Sequence, residues 1–260
     1  MVTLSALDKE RFGIVTAKEP LFTVGTLQDT LRFCQENGVQ MLIARCACED
    51  LPAVQSMEKA GGRLMDTLVY YLRDLDRPLP EHDANVVVRP LRAADAPGVS
   101  RVATECFRGY IGHYHADPRL DRAKCDEVYI SWAERSCLDR AVASTVLVAE
   151  IGERIAGFLT ILERSPDEQE IILNGVDPAF HRRGIYRALA VAAMSHARSS
   201  GAKRLTISTQ LINIAVQKTW SRLGFELLRA YYTFHLWFDP PRGSAETANH
   251  FQGSGVGAAK

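Results

Sequence analysis

The sequence predicts an α/β protein, and three observations support that class. Apolar segments of strand length alternate with amphipathic segments of helix length along most of the chain. Hydrophobic residues make up 47% of the 260 residues and charged residues 24%, which is typical of a soluble globular protein. A chain of this length can bury one large core or two modest ones.

The first part of the chain is predicted to contain five elements. They are a strand at residues 12–18, a helix at 26–38, a strand at 39–46, a helix at 50–62 and a strand at 64–75. Prolines and acidic residues then interrupt the apolar pattern at residues 76–85, which indicates a linker. The sequence therefore predicts an N-terminal α/β half-domain at residues 1–80 and a second domain at 86–238.

The second domain is predicted to continue the alternation. Its elements are a strand and helix within residues 86–107, an amphipathic helix at 121–137, a hairpin at 145–163, a strand at 170–176, a helix from 185, a strand at 203–210, a helix at 213–225 and a strand at 227–238. Residues 239–260 have the composition of a flexible C-terminal tail.

The two domains show internal similarity when the chain is shifted by 162 positions. Gly62 then falls on Gly224 and Tyr70 on Tyr232, within matching helix and strand patterns. The N-terminal half-domain is therefore interpreted as a second copy of the last strand-helix-strand unit. The alternative is a chance match, because helix-Gly-strand patterns are common in α/β chains.

Composition excludes several classes of partner. Lysines and arginines number 31, against 31 aspartates and glutamates, so no net positive charge attracts nucleic acid or an anionic membrane. We find no signal peptide in the first 30 residues, and the longest apolar run, at 188–194, is too short for a membrane span. We therefore expect a cytoplasmic protein. A homodimer is one option, and the sequence does not specify the oligomeric state.

The six cysteines form no C-x-x-C pair and have no histidine at zinc-ligand spacing. Several lie on apolar helix faces, where a free cysteine acts as a small hydrophobic residue. We expect reduced thiols and no structural metal.

Residues 176–187 predict an anion site. An apolar strand ends there, the chain turns through Asp177 and Pro178, and the basic segment 181–184 leads into a helix. The first amides of a helix lack intrahelical acceptors, so a helix start of this kind favours a phosphate group. The alternative is a polar turn with solvated arginines.

The motifs in this order resemble those of the GNAT superfamily of acyl-CoA-dependent N-acyltransferases. The loop resembles the family's Q/R-x-x-G-x-G/A sequence, with His181 and Tyr186 as departures, and Asn213 with Gly224-Phe225 resembles its later helix motif. The resemblance covers residues 86–238. It implies the GNAT fold, a mixed central sheet flanked by helices, preceded by a half-GNAT-like domain without a second coenzyme site.

The resemblance also implies that acetyl-CoA or another acyl-CoA is the co-substrate. A bulge near Asn174, with Gly175 as its residue, would expose a backbone N–H to the thioester. The implied cofactor-binding residues are Gly175, Val176, His181, Arg182, Arg183, Gly184, Ile185, Tyr186, Arg187, Asn213 and Trp220.

Trp220 stands where many family members carry a tyrosine that acts as general acid. An indole N–H donates a hydrogen bond but supplies no titratable proton, so we expect the thiolate to leave and take its proton from water. The alternative places Trp220 in the core, in a stripe with Val216 and Leu223.

Glu170 lies fourteen residues before Gly184, where histone-modifying members of the superfamily carry a general base. The resemblance therefore implies a catalytic role for Glu170. The alternative is a strand-end carboxylate facing water.

Residues 108–122 are predicted to form a long loop that binds the acceptor substrate. Together with Asn174, the candidate substrate-binding residues are His113, Tyr114, His115, Asp117 and Asp121. His115 is also a candidate base, since a histidine exchanges protons near neutral pH. The alternative is a surface loop in which the histidines are incidental.

The two-part plan, the helix bearing Trp132 and the residues Thr209, Gln210 and Asn213 together resemble the TDP-fucosamine acetyltransferase group. This narrower resemblance implies an acetyl or short acyl transfer to the amine of a nucleotide-linked deoxyamino sugar, for surface polysaccharide assembly. Two alternatives stay open: transfer to a peptide, antibiotic or metabolite amine, and a non-catalytic acyl-CoA-binding module.

Overall fold

The computed structural model describes residues 1–81 and 86–238. Part of the predicted linker, and the predicted tail at 239–260, lie outside the described residues. Within the described part of the chain, no helix is both long and apolar enough to cross a membrane.

The N-terminal half contains the five predicted elements and two more. In chain order they are β1 (Thr3–Leu4), α1 (Ala6–Phe12), β2 (Thr16–Phe22), α2 (Leu27–Glu36), β3 (Met41–Ala47), α3 (Leu51–Lys59) and β4 (Arg63–Asp74). The predicted strand at 12–18 is wrong in its first part. Phe12 belongs to α1, and β2 begins only at Thr16. The helix α1 begins after Ser5, whose side chain accepts a hydrogen bond from the Asp8 amide, and ends before Gly13, whose φ of 69° lies in the left-handed region.

The C-terminal part follows the predicted order closely. Its elements are β5 (Val87–Pro90), α4 (Ala96–Cys106), α5 (His113–Ala116), α6 (Arg122–Leu138), β6 (Thr145–Ile151), β7 (Arg154–Ser165), β8 (Glu168–Val176), α7 (Ile185–Ser199), β9 (Arg204–Gln210), α8 (Ile214–Arg222) and β10 (Glu226–Trp237). The short helix α5 lies inside residues 108–122, which the sequence predicted as a loop.

The described strands form one mixed sheet in the order β1-β2-β3-β10-β4-β9-β8-β7-β6-β5. The pairs β2–β3 and β8–β9 are parallel, and the other pairs are antiparallel. Helices cover both faces: Leu147 and its neighbour Val148 point to opposite sides of β6, toward α7 and toward α4 respectively. The predicted α/β class, with a large mixed sheet flanked by helices, is confirmed.

Each half of the chain places its last strand in the other half's part of the sheet. β4 lies beside β9, and β10 lies beside β3. Ala44 pairs with Phe234 across β3 and β10, and the positions 162 residues away, Thr206 and Leu72, pair with each other across β9 and β4. The two halves are therefore related by an approximate twofold arrangement about the β4–β10 pair.

This exchange of strands also links the hydrophobic cores. Phe234 and Leu236 of β10 pack into the N-terminal cluster with Leu42 and Met57, whereas Val69 of β4 packs into the large cluster around α7. Fully burying a side chain such as Phe234 contributes about 1.5–3 kcal/mol. Each half therefore depends on the other for part of its core.

All six cysteines are free. Burial raises the pKa of the Cys46 thiol to about 12, with smaller contributions from nearby Asp50 and Cys48. Such a thiol stays protonated and unreactive at neutral pH.

Candidate functional site

The parallel strands β8 and β9 separate at the centre of the sheet. They pair only between Glu168 and Ile171 on β8 and between Arg204 and Ile207 on β9. Beyond this point residues 172–176 and 208–210 have no backbone pairing with each other. The gap leaves backbone donors and acceptors available to a ligand that enters between the two strands.

The bulge in β8 lies at Ile172, so the predicted bulge at Gly175 is wrong. Thr160 of β7 pairs with Leu173, but the next residue of β7 pairs with Ile171, which leaves Ile172 without an opposite residue. Gly175 pairs in regular register with Phe158. A side chain at Gly175 would overlap Cys106 Sγ of α4, so this glycine permits close packing of helix on strand.

The loop before α7 presents a helix N-terminus next to the gap. Gly184 has a φ of 74°, and Arg182, at 63°, is the one non-glycine residue with a positive φ among the described residues. No side chain caps the first turn of α7. The first amides of this turn therefore have no intrahelical acceptor and suit an anion.

The side chains of this loop are partly engaged in the fold. His181 Nε2 lies 3.2 Å from the Val176 carbonyl oxygen, and the Arg187 guanidinium donates two hydrogen bonds to the Glu81 carbonyl oxygen. Arg183 stacks near the Phe180 ring. The buried Ile185 belongs to the core, so it can contribute only its backbone to a ligand.

Trp220 links α8 to α7. Its Nε1 donates a hydrogen bond of 2.6 Å to the Tyr186 hydroxyl, and its ring packs edge-on against Tyr71. Burial raises the pKa of Tyr186, and the hydrogen bond from Trp220 opposes that effect only in part. Trp220 is 1% exposed, so it belongs to the core and also forms part of the cavity wall.

A cavity of about 410 Å³ begins at the gap and extends toward the N-terminal half. Six of the predicted site residues form part of its wall: His113, Tyr114, Glu170, Asn174, Asn213 and Trp220. Asn213 begins α8, and its side-chain amide donates to Thr209 Oγ1. The structure therefore brings residues of the loop at 108–122 and residues of the gap together around one space.

Glu170 lies in this wall and is mostly buried. Its Oε2 accepts a hydrogen bond of 2.6 Å from Arg164 Nε. The carboxylate thus has one oxygen held by an arginine, which fixes its orientation.

Three predicted substrate residues do not form part of the cavity wall. His115 Nε2 lies 3.0 Å from Asp126 Oδ1, and its Nδ1 accepts from the Gly112 amide, so both ring nitrogens serve the local fold. Asp121 caps α6 by accepting from the Lys124 amide. Asp117 is buried behind the wall. This geometry gives His115 no role as a base in the cavity.

The far end of the cavity carries a basic group that the sequence patterns did not predict. Arg11, Arg45 and Arg135 form part of the wall, and no carboxylate of the described residues lies within ion-pair distance of them. By contrast Lys18, nearby, forms an ion pair of 2.7 Å with Asp8. The available signal was a charged residue, Arg45, inside the apolar strand β3.

A chain of hydrogen bonds reaches the same end of the cavity. Asp117 Oδ2 lies 2.7 Å from His235 Nδ1, and His235 Nε2 lies 2.9 Å from His113 Nδ1. Burial, reinforced by nearby positive groups, lowers the pKa of His113 well below its usual value. Burial alone would raise the pKa of Asp117, but hydrogen bonds from His235, the Arg119 amide and Trp237 lower it overall.

Comparison with known proteins identifies one matching family, described as the acetyltransferase (GNAT) family, over residues 103–225. The spore coat polysaccharide biosynthesis protein SpsD of Bacillus subtilis (strain 168) is 26% identical over 148 residues, which cover 57% of this chain and 50% of that protein. A mycothiol acetyltransferase of Corynebacterium glutamicum (strain R) is 29% identical over 91 residues, covering 35% of this chain and 31% of that protein. The matches thus span half or less of these relatives' length.

Among solved structures, a GCN5-related N-acetyltransferase from Sphaerobacter thermophilus superposes with a TM-score of 0.63. The alignment covers 93% of this chain and 77% of that one, with 16% sequence identity. At this identity the similarity concerns the fold alone.

Proposed function

Because residues 103–225 match the acetyltransferase (GNAT) family, we propose that the chain is an acyl-CoA-dependent N-acyltransferase that acts on the amine of a nucleotide-linked deoxyamino sugar. The transferred group is acetyl or another short acyl group. The observation that carries the proposal is a single cavity joining the gap between β8 and β9 to three arginines without carboxylate partners among the described residues.

Acyl-CoA would bind at the gap. Its pyrophosphate would accept hydrogen bonds from the amides of residues 182–187 at the start of α7. Its pantetheine arm would pair with the backbone that β8 and β9 leave free, next to Asn213 and Trp220. Of the predicted cofactor-binding residues, Gly175, Val176 and Ile185 would act through their backbone position rather than through a side chain.

The reaction needs an amine placed against the thioester carbonyl and a donor for the developing oxyanion. A backbone amide of β8 facing the gap beyond Ile172 would supply the donor. Glu170, held by Arg164, would accept the amine's proton through its second oxygen. The thiolate would leave without a side-chain acid and take its proton from water, since the Trp220 N–H is used by Tyr186.

The acceptor is proposed from the charges at the other end of the cavity. Arginine guanidinium groups bind phosphate with paired, charge-assisted hydrogen bonds, so Arg45 and its neighbours favour an acceptor that carries phosphate. The similarity to SpsD, a polysaccharide biosynthesis protein, supports an amino sugar on a nucleotide carrier. Since such substrates and acyl-CoA are cytoplasmic metabolites, the proposal includes a cytoplasmic location.

Turnover tests this function. Acetyl-CoA is incubated with nucleotide-linked amino sugars, the corresponding free amino sugars and a peptide amine, and the release of free thiol is measured against a reaction without amine. We expect thiol release that depends on the amine and is much faster with the phosphate-bearing acceptors.

Equal rates with free amino sugars or the peptide would contradict the proposed acceptor and favour another amine. Binding of acetyl-CoA without transfer to any of these amines would favour a non-catalytic acyl-CoA-binding module. Trp220 supports this second candidate, because it stands in place of the tyrosine acid and its N–H donates to Tyr186 within the fold.

A further inference from the structure

The hydrogen-bonded chain from Asp117 through His235 to His113 is placed outside the acyl-transfer site described above. His235 lies on β10 and is completely buried, while His113 lies on α5 and forms part of the cavity wall. Trp237 Nε1 also donates to Asp117 Oδ2, at 2.8 Å, and the Arg119 amide donates to Oδ1. The structure thus holds an ionised carboxylate behind two imidazole rings.

These contacts determine which nitrogen of each ring carries a proton. An ionised carboxylate only accepts hydrogen bonds, so His235 Nδ1 carries the proton that Asp117 accepts. In a neutral His235, Nε2 is then an acceptor, so His113 Nδ1 carries the proton between the rings. His113 Nε2 is left as a hydrogen-bond acceptor, and no described residue donates to it.

Burial is the main reason that the pKa of His113 is lowered and the ring stays neutral, and the groups around it add to that effect. Lys18 of β2, Arg45 of β3, His235 of β10 and His115 of its own helix all oppose a positive charge on this ring. The site therefore offers a fixed acceptor nitrogen on the same cavity wall as Arg45, which has no ion-pair partner among the described residues.

The sheet provides a measure of how far this end lies from the thioester. β9, β4 and β10 follow β8 in order, so β10 is three strand spacings, about 14 Å, from β8. His113 contacts His235 of β10 and therefore lies toward the N-terminal side of the cavity rather than at the gap. This position matches the part of a long acceptor that lies beyond the sugar.

We propose that His113 determines acceptor specificity by accepting, at Nε2, a hydrogen bond from a hydroxyl or imide N–H of the nucleoside, while Arg45 binds the adjacent phosphate. Asp117 and His235 are positioning residues that fix the ring's proton on Nδ1. The inference rests on the proposed function in taking this cavity as the acceptor site.

Calorimetric binding of thymidine 5′-diphosphate tests the subsite without turnover. We expect the wild-type protein to bind this probe, and both His113→Ala and Arg45→Gln to weaken binding by about tenfold or more. His196→Ala is the matched control, because His196 lies on α7 and contacts Thr145 outside the cavity; its affinity should equal that of the wild type. Absence of binding by the wild type, or wild-type affinity in His113→Ala, would overturn the proposal.

Nitrogen-15 NMR of the histidine rings tests the positioning role. We expect His113 in the folded wild-type protein to carry its proton on Nδ1, and Asp117→Ala to shift it to Nε2 and weaken binding as much as His113→Ala does. Trp237→Phe removes another hydrogen bond to the same oxygen without touching the rings, so it should keep the Nδ1 proton. A wild-type His113 protonated on Nε2 would contradict the inference.

Kinetics separate this inference from the proposed function. Probe binding without thiol release would reject the acyltransferase and support the subsite. Thiol release without probe binding would support the acyltransferase and reject the subsite. If His113→Ala abolishes turnover while the probe binds normally, His113 acts in the chemistry and the specificity role is wrong.

Discussion

At the scale of single residues, the loop before α7 depends on two backbone conformations. Gly184 and Arg182 both have positive φ values, and this geometry turns the chain from the end of β8 into α7. Glycine adopts such a conformation without strain, whereas a residue with a side chain does so at a cost of about 1 kcal/mol or more. A Cβ at position 184 would meet no atom within 4 Å. The backbone conformation, and not a lack of space, therefore disfavours a side chain at this position.

We expect Gly184→Val to weaken coenzyme A binding by at least tenfold, about 1.4 kcal/mol. A branched side chain disfavours the left-handed conformation and shifts the amides that bind the pyrophosphate. Gly152→Val is the matched control, since Gly152 has a φ of 61°, also has open space around it, and lies in the β6–β7 turn. Both variants should lose stability, but only Gly184→Val should lose affinity in calorimetry; unchanged affinity there would reject the site.

Glu170 is the residue on which the chemistry of the amine depends in our proposal. We expect Glu170→Gln to lower kcat about 10²-fold at neutral pH, because an amide cannot accept the amine's proton. The loss is smaller for a sugar amine that is already partly neutral. The control is Glu168→Gln on the same strand, whose carboxylate pairs with Arg204. A wild-type pH–rate profile in Glu170→Gln would show that its role is structural.

At the scale of elements, α7 and α8 are joined through a partly buried side-chain hydrogen bond. By the resemblance described above, Trp220 and Tyr186 stand where a tyrosine and a small residue are expected, and here the two side chains contact each other directly. The sequence showed both departures, but not that they form a pair. Their contact explains why neither is free to serve as a simple replacement for the usual acid.

We expect Trp220→Phe to lower the free energy of unfolding by about 1–3 kcal/mol, from a lost hydrogen bond and a small cavity. Because the proposed thiolate leaves without a side-chain acid, kcat should change by less than about threefold. Tyr186→Phe is the companion variant, which leaves the indole N–H without its acceptor. Denaturant unfolding and steady-state kinetics measure the two effects. A large fall in kcat at unchanged stability would mean that Trp220 takes part in proton transfer.

At the scale of the whole molecule, the exchange of β4 and β10 decides how the two halves depend on each other. We propose that residues 1–80 are a half-domain and residues 86–238 the acyltransferase domain, joined by one sheet rather than by a separate interface. β4 fills the position beside β9, and β10 contributes Phe234 to the N-terminal cluster. The cavity consequently has walls from both halves.

We expect residues 1–80 expressed alone to aggregate or remain poorly folded. A unit of about 80 residues builds only a marginal core, and without β10 this one also loses Phe234 and Leu236 and exposes strand edges. Circular dichroism and size-exclusion chromatography measure the outcome. Co-expression with residues 81–260 is the control and should restore a soluble complex. A cooperatively folding fragment that binds coenzyme A would contradict the half-domain.

The sequence by itself determined the α/β class, the order of nearly all elements and the loop before α7 that we propose binds an anion. These features depend on local patterns: apolar periodicity, helix starts, and a glycine with basic neighbours before a helix. The 162-residue shift also pointed to the relation between the halves, which the β-sheet pairing of Ala44 with Phe234 and of Thr206 with Leu72 repeats.

Only the tertiary structure decided which strands are neighbours and which side chains share the cavity. The pairing of β4 with β9, the bulge at Ile172 and the alignment of His113 with His235 depend on contacts between residues far apart in the chain. A local pattern cannot distinguish His113 from His115, which is only two positions later. His113 reaches the cavity, whereas His115 contacts Asp126. The position of each side chain around α5 is set by packing against β10 and α6, and that packing exists only in the folded chain.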